Sequence, residues 1–379
     1  MSALKLSNYS RYIQAMFILG FPTATSSQVI IDNSFSKNQE LAGPNFHISE
    51  DFGKIIGNNL FHSFDEFNLH KGQSAIFTGP NSIENILGRV TGSNVSKING
   101  IIRSEINDAN LYLLNPNGFI FGKNAMINVK GSLTISTRNN IKLGKNGNFN
   151  ALSPKHSLLV SAKPEAFGFL GGNPEGTIKL SGAHITLSGK NKHLGLNSAN
   201  LIVENNTKIN ANEGANIKIE SDNFNVTNES VIQTNTKSDV NAGNINVDAI
   251  STKVTGGLIS ADSNGTGNAG SISIHSKEFI INNDTANASV ISSNTHFLNR
   301  NDIGGKGGEV LIASDSINIK SGGFLEVESH GSGRGGALTL QAEILEIDGG
   351  KLTGSTYQTG EGGEINIMAD NISLNNSGY

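Results

Sequence analysis

A parallel β-helix is the fold class this sequence predicts, and three observations predict it. The first is a short pattern, Gly-x followed by alternating apolar residues, that returns seven times between Gly176 and Leu374. It reads Gly176-Thr-Ile-Lys-Leu, Gly214-Ala-Asn-Ile-Lys-Ile, Gly243-Asn-Ile-Asn-Val, Gly270-Ser-Ile-Ser-Ile, Gly308-Glu-Val-Leu-Ile, Gly336-Ala-Leu-Thr-Leu and Gly363-Glu-Ile-Asn-Ile. The second is the spacing of those glycines, 38, 29, 27, 38, 28 and 27 residues, which is the period of stacked solenoid units. The third is an internal offset of seven: Ile178 is followed by Ile185, Ile217 by Phe224, Ile272 by Phe279, Val310 by Ile317, Leu338 by Leu345 and Ile365 by Ile372.

Each apolar segment alternates with period two, which turns one face inward and the other toward water. Segments of three to five residues are too short for stable helices, and the Gly, Asn, Ser and Asp between them favour turns. A third apolar segment follows in each unit, at Val231-Ile232, Leu258-Ile259, Val290-Ile291, Leu325 and Leu352. Three strands and three bends then make one coil. A single coil has too few inward side chains for a core, but coils stacked about 4.8 Å apart join their Ile, Val and Leu into continuous rows. A β-sandwich requires neither the near-28 period nor the offset of seven. The pattern itself suits either hand. The expected fold is all-β, a single-stranded parallel β-helix of the right-handed form, with an N-terminal cap and loop or hairpin excursions.

Ahead of the repeats, Lys5 and Arg11 precede a ten-residue apolar stretch, Tyr12 to Phe21, and then Pro22-Thr-Ala-Thr-Ser-Ser27. A basic start, an apolar centre and a small-residue finish predict a secretory signal peptide over residues 1–27, with a mature chain opening on the strand Val29-Ile-Ile31. The first coil of a solenoid needs cover, because an open apolar end with free strand edges aggregates. Residues 28 to about 80 are assigned to that cap; Phe61, Phe64 and Phe67, three apart, point to one helical turn or a short capping segment. From Val90 to Ser136 the strands are coil-like again, and Asn115-Pro-Asn-Gly118 has the residue order of a tight turn. Residues 138–175 break the pattern and read as a protruding excursion whose Phe167 and Phe169 fold back on the coil. The surpluses near residues 189–199 and 295–305 read as loops of the same kind.

Charged residues make up 16% of the 379 and net charge is −4 with the signs mixed, so nothing steers the chain toward nucleic acid. The absence of Cys excludes disulfides, thiolate metal sites and cysteine catalysis. No apolar run reaches 18 residues, so the sequence predicts no helical membrane span. Two strings, Gly265 to Gly270 and Gly331 to Gly336, match Gly-x-Gly-x-x-Gly, but both run into repeat strands rather than a helix and read as bends. Gly304 to Gly308 lacks both the phosphate-loop and the calcium-repeat residues. The outward carboxylates Glu309, Glu343, Glu346 and Glu364 fall singly or at repeat positions, as on a solvated face. No catalytic residue, cofactor or metal is expected. The alternative of a secreted β-helical polysaccharide lyase or hydrolase would need acidic or basic side chains aligned across neighbouring coils.

Four strings in order carry a resemblance: Gly57 to Leu69 (GNNLFHSFDEFNL), Asn85 to Gly92 (NILGRVTG), Ile98 to Arg103 (INGIIR) and Asn110 to Gly122 (NLYLLNPNGFIFG). Together they resemble the filamentous haemagglutinin N-terminal domain, the secretion domain of the exported partner in bacterial two-partner secretion, in the form common in cyanobacteria and other environmental bacteria. The residues carrying the motifs are Asn59, Leu60, Phe61, His62, Phe64, Phe67, Asn85, Arg89, Asn115, Pro116, Asn117 and Gly118. Phe119 stands where the family's Asn-Pro-Asn-Gly element continues with Ile, and the cysteine pair and Asn-Pro-Asn-Leu element of pathogen members are absent. The resemblance implies export through the periplasm to the cell surface or medium, with an outer-membrane β-barrel transporter and its periplasmic recognition domains as partner. It further implies a secretion domain over residues 28–250, a passenger beginning at 251–379, a role in surface attachment or adhesion, and host or environmental surface glycans as further partners.

Overall fold

The computed structural model describes residues 28–168, 176–283, 287–296 and 305–376. The expected signal peptide lies outside them, as do Phe169 and most of the surplus near 295–305. The described chain is a right-handed parallel β-helix made of a 17-stranded sheet and an 11-stranded sheet, with a separate three-stranded antiparallel sheet. The 11-stranded sheet contributes one rung per coil, from Asn45–Ile48 to Lys351–Thr353. The larger sheet supplies the other two faces. From His193–Glu204 onward both are formed by one strand of 11 or 12 residues that bends midway, so the two short strands expected from the sequence are continuous there.

The apolar rows run along the stack in register. Leu60, Ile86, Leu111, Leu133, Leu194, Ile217, Ile245, Ile272, Val310, Leu338 and Ile365 are successive partners in one row. Phe224, Thr252, Phe279, Ile317, Leu345 and Ile372 form a second, and Ile185, Ile209, Ile232, Ile259, Ile291, Leu325 and Leu352 lie in a third. The offset of seven is thus the step from one face to the next. The first repeat is shifted in phase: Ile178 pairs with Leu201, in the Phe224 row, because the chain re-enters the stack after the excursion on the second face.

The repeated glycine has a spatial cause. Ala215, Gly243, Gly270, Gly308, Gly336 and Gly363 stack at one corner. A Cβ on Gly243 would collide with the Ala215 carbonyl oxygen, and one on Gly270, Gly308 or Gly336 with that of the glycine one coil below. The requirement is close approach, not an unusual backbone angle.

Two sequence expectations are corrected. The Phe61/Phe64/Phe67 segment is not a helical turn: Asn59–Phe67 is a nine-residue strand. Its pairing with Val29–Ile31 skips Asp65, a bulge that resets the alternation and turns both Phe64 and Phe67 inward while Phe61 points out. Residues 189–199 do not form a loop either, since His193–Glu204 is a full ladder strand. Parallel, coil-type pairing begins inside residues 28–80, with Asn45–Ile48 against Ser74–Phe77 and Asn59 to Phe64 against Asn85 to Val90. Antiparallel pairing there is confined to Val29–Ile31 and Lys54–Ile56, which line one edge of Asn59–Phe67, and Gln39–Glu40, which pairs with Val29–Ile31. The excursion is a three-stranded antiparallel sheet, Gly147–Asn150, Asn140–Leu143 and Pro164–Gly168 in spatial order.

Thr252 interrupts the Phe224–Phe279 row with a buried hydroxyl that has no protein partner. Two substitutions should therefore move stability in opposite directions in urea melts. Thr252→Val removes the unpaired hydroxyl at constant shape and is expected to stabilise by about 1–2 kcal/mol. Gly270→Ala forces neighbouring coils apart and is expected to cost about 1–3 kcal/mol.

Candidate functional site

The motif residues divide by the alternation of their strands. Asn59, Phe61 and Ser63 point out of the first coil; Asn85, Leu87 and Arg89 lie above them, and Asn110, Tyr112 and Leu114 above those. Elsewhere the outward face of such strands is open to water. Here Asn59, Phe61, Asn85, Leu87, Arg89 and Leu114 are all buried, because the excursion sheet and the segment around Phe35 cover them. A second core results. Phe61, Leu87 and Leu114 pack against Ile141, Leu143, Phe149 and Ala151 of the excursion, with Phe35, Ile56, Leu159 and Val160 at its margin. Phe61 meets Phe149 edge-on at 5.2 Å between ring centroids.

Three asparagines in register form a ladder along one border of this core. The Asn110 amide donates to Asn85 Oδ1 (3.0 Å), and the Asn85 amide donates to Asn59 Oδ1 (2.8 Å). The Asn59 amide leaves the stack altogether, donating to the main-chain carbonyls of Val160 (3.1 Å) and Ala162 (2.8 Å). At the top, the Ser132 backbone N–H donates to Asn110 Oδ1 (2.8 Å).

Arg89 anchors the other border, with 1% of its surface exposed. Its Nε donates to Ser63 Oγ (2.8 Å), Nη1 to the Asn150 carbonyl (2.7 Å) and to Ser157 Oγ (2.7 Å), and Nη2 to Ser34 Oγ (3.1 Å). The guanidinium carbon lies 4.5 Å from the Phe149 ring centroid and 5.4 Å from that of Phe35. The balancing charge is one hydroxyl away: Ser63 Oγ donates to Asp32 Oδ2 (2.6 Å), and Thr91 Oγ1 and the Ser34 backbone N–H also donate to Asp32 (2.7 Å each). Burial pushes the Arg89 guanidinium down to about 10, opposed by the Asp32 carboxylate, so it stays charged at neutral pH. One buried cation thus joins three segments distant in sequence.

The Asn115 to Gly118 turn occupies the next corner. Gly118 N–H donates to the Asn115 carbonyl (3.0 Å), closing the turn, and Gly118 holds φ +115°. A Cβ there would press on the Thr177 carbonyl oxygen. The Asn115 amide donates to the Asn94 carbonyl and Ser96 Oγ (3.0 Å each), and the Asn117 amide to the Gly92 carbonyl (2.8 Å). The turn therefore ties its own coil to the corner below and reaches the Arg89 assembly through the Thr91-Gly92 link. Pro116 sets the turn and makes no side-chain hydrogen bond of its own.

Leu60, His62, Phe64 and Phe67 point into the solenoid instead. His62 is the anomaly among them. It is fully buried, its ring lies 5.6 Å from Phe77 and 6.2 Å from Phe64, and neither ring nitrogen has a protein partner. Desolvation pushes its pKa down to about 3, so the imidazole is neutral. The motif reading missed Asp32, Ser34, Phe35, Ser63, Phe149, Asn150 and Ser157. Ser63 was recoverable from the shared Asn-x-apolar-x spacing of the strands at 59, 85 and 110. The others join through tertiary contacts for which the period carries no signal.

A family model described as the TPS secretion domain matches residues 27–274, which includes every residue of the covered face. The chain belongs to the TPS secretion domain family. It carries the TPS domain of a two-partner secretion exoprotein. A curated relative, the heme/hemopexin-binding protein of Haemophilus influenzae, is 36% identical over 90 residues, which is 24% of this chain and 9% of that protein. Among solved structures, the HMW1 secretion domain from Haemophilus influenzae is similar in fold, with a TM-score of 0.57 and 18% identity over 88% of this chain and 96% of that one.

Two measurements test this account of the TPS domain. His62 takes up a proton in the unfolded chain below pH 6.5 but not in the folded one until about pH 3. Stability should therefore fall as pH drops through that window, by up to about 1.4 kcal/mol per unit, or roughly 2 kcal/mol by pH 5. His62→Phe should flatten that part of the profile in urea melts at stepped pH. Arg89→Met should cost about 3–5 kcal/mol, with Arg89→Lys recovering only part, because an ammonium cannot span the four acceptors and the two rings.

Proposed function

We propose that residues 28 to about 250 direct the chain to an outer-membrane β-barrel transporter with periplasmic recognition domains, and that residues 251–379 begin a passenger serving surface attachment. What supports the reading is the content of the coils, not a break in the stack. The family match ends at residue 274, yet the same ladder continues without a change of register through Glu364–Asn375. The specialised features, namely the covered face, the asparagine ladder and the Arg89 network, all fall before residue 165, whereas later coils repeat a simple unit. That arrangement suits a recognition module followed by an extendable stalk. The motif residues Asn59, Phe61, Asn85, Arg89 and Asn115 to Gly118 serve the module by knitting its segments together; Leu60, His62, Phe64 and Phe67 fill its core. Attachment by the outward polar face of the later coils, with surface glycans as partners, completes the reading.

Export tests it directly. With the transporter encoded alongside, the chain should reach the medium or become accessible to added protease. Without the transporter it should accumulate in the periplasm, and residues 1–250 fused to an unrelated reporter should carry that reporter out. Equal surface accessibility with and without the transporter would overturn the proposal.

A further inference from the structure

After the later rungs of the 11-stranded sheet the chain bends, and the bends stack: Thr236, Ser263, Thr295, Ser329 and Thr356 pair in parallel from coil to coil. One residue before that row stand Asn235, Asp262, Asn294 and Glu328, and one residue after it come His296, His330 and Tyr357. An amide suits the inner row. Asn235 Oδ1 accepts the Asp262 N–H (2.8 Å) and Asn294 Oδ1 accepts the Glu328 N–H (2.7 Å), and neither side chain brings a charge. Asp262 performs the same task, accepting from the Asn294 N–H (2.8 Å) and the Ser292 hydroxyl (3.1 Å), but it places a carboxyl where only 8% of the residue is exposed.

Two further carboxyls lie two coils on. Glu326 accepts from the Asn294 amide (3.3 Å), and Glu328, also 8% exposed, lies 3.4 Å from His330 Nε2 and accepts from the Tyr357 hydroxyl (3.4 Å). His296 faces Asp262, and Lys351 faces Glu326 from the next coil. Among the described residues the corner thus sets three carboxyls against one lysine and two imidazoles. A proton on either imidazole or on a carboxyl reduces the excess of negative charge, and imidazole is the side chain that ordinarily changes charge between about pH 5 and 8. Burial pushes the Asp262 carboxyl up, and burial and then the neighbouring Glu328 do the same to Glu326. The rings set a limit: His296 and His330 stack at 5.0 Å between centroids, and His330 and Tyr357 at 4.4 Å, so two charged imidazoles would repel.

We infer that this corner is a proton-operated clasp: Asp262, Glu326 and Glu328, together with His296 and His330, take up protons on folding and hold the coils from Leu258 to Tyr357 together more tightly at mildly acidic than at mildly alkaline pH. In the unfolded chain Asp and Glu titrate near 3.8 and 4.5, and the folded Asp262 and Glu326 hold their protons to higher pH. Their contribution is therefore fully present below those values and is lost as pH rises through the folded ones. His62 responds with the opposite sign, so the first coils and the later ones favour opposite ends of the pH range. The clasp belongs to the later coils and does not depend on the transporter reading.

Hydrogen exchange of the full chain, read by mass spectrometry at about pH 5.5 and about pH 8 and corrected for the intrinsic rate, tests it. Peptides covering Leu258–Ser260, Ser289–Ser292 and Gly323–Glu326 should be about tenfold better protected at the lower pH, measured against the strand Asn216–Thr227. A variant combining Asp262→Asn, Glu326→Gln and Glu328→Gln keeps the side-chain shapes and puts at 262 the residue already present at 235 and 294. In it the difference should shrink to about twofold or less, through a gain of protection at the higher pH. Equal relative protection of the unaltered chain at both pH values would overturn the inference even if the variant failed to fold. So would a variant that keeps the original pH dependence, or one whose dependence flattens only through protection lost at the lower pH.

Discussion

Parallel strands stacked in register satisfy their backbone hydrogen bonds only if each coil retraces the one below at about 4.8 Å, and every other feature of the molecule follows from that constraint. A side chain at one coil position sits on its counterpart in the next, so chemistry repeats along rows rather than along the sequence. The inward rows select Ile, Leu, Val and Phe. The corner row selects Gly, because a Cβ on Gly270 would meet the carbonyl of Gly243. At another corner the row selects amides and carboxylates: Asn235 Oδ1 accepts from the Asp262 N–H (2.8 Å), Asp262 Oδ1 from the Asn294 N–H (2.8 Å) and Asn294 Oδ1 from the Glu328 N–H (2.7 Å). These side chains supply the acceptors that the turning backbone would otherwise lack.

The first coils obey the same constraint but add a second requirement. Their outward rows are buried, so the polar residues in them must be fully paired. Burying Arg89 carries a desolvation cost that its Coulomb attraction to Asp32 does not by itself recover. Hydrogen bonds to Ser34, Ser63, Asn150 and Ser157 and two aromatic rings make up the remainder. The return is specificity. An all-apolar interface would accept the excursion in several positions, whereas Arg89 and Asn59 pin it at both borders.

This division matters for the exported partner of a two-partner secretion system. Coils beyond residue 176 need only the coil before them, so their contacts are local and can form one coil at a time. The covered face is different, since it draws on residues 32–35, 63, 89 and 149–162. It closes only after about 130 residues are available, which makes it the least local part of the domain.

The coil stack was legible in the sequence because its physics is periodic: the spacing of Gly243, Gly270, Gly308 and Gly336 and the offset of Ile217 from Phe224 state the rise and the turn of the backbone directly. Local chemistry likewise identified the Asn115 to Gly118 turn. The phase of Ile178, the strand at 193–204 and the bulge at Asp65 were not legible, since each depends on where the chain re-enters the stack or on what an edge strand pairs with. The covered face was half-visible: Asn59, Phe61, Asn85 and Arg89 stood out as motif residues, and strand alternation sets them apart from Leu60 and His62, but alternation does not say that the outward set is covered. Whether an outward row faces water or a second core is decided by an antiparallel sheet folded back across the coils, and a contact between residues 60 or more apart, outside the repeat, leaves no period to read.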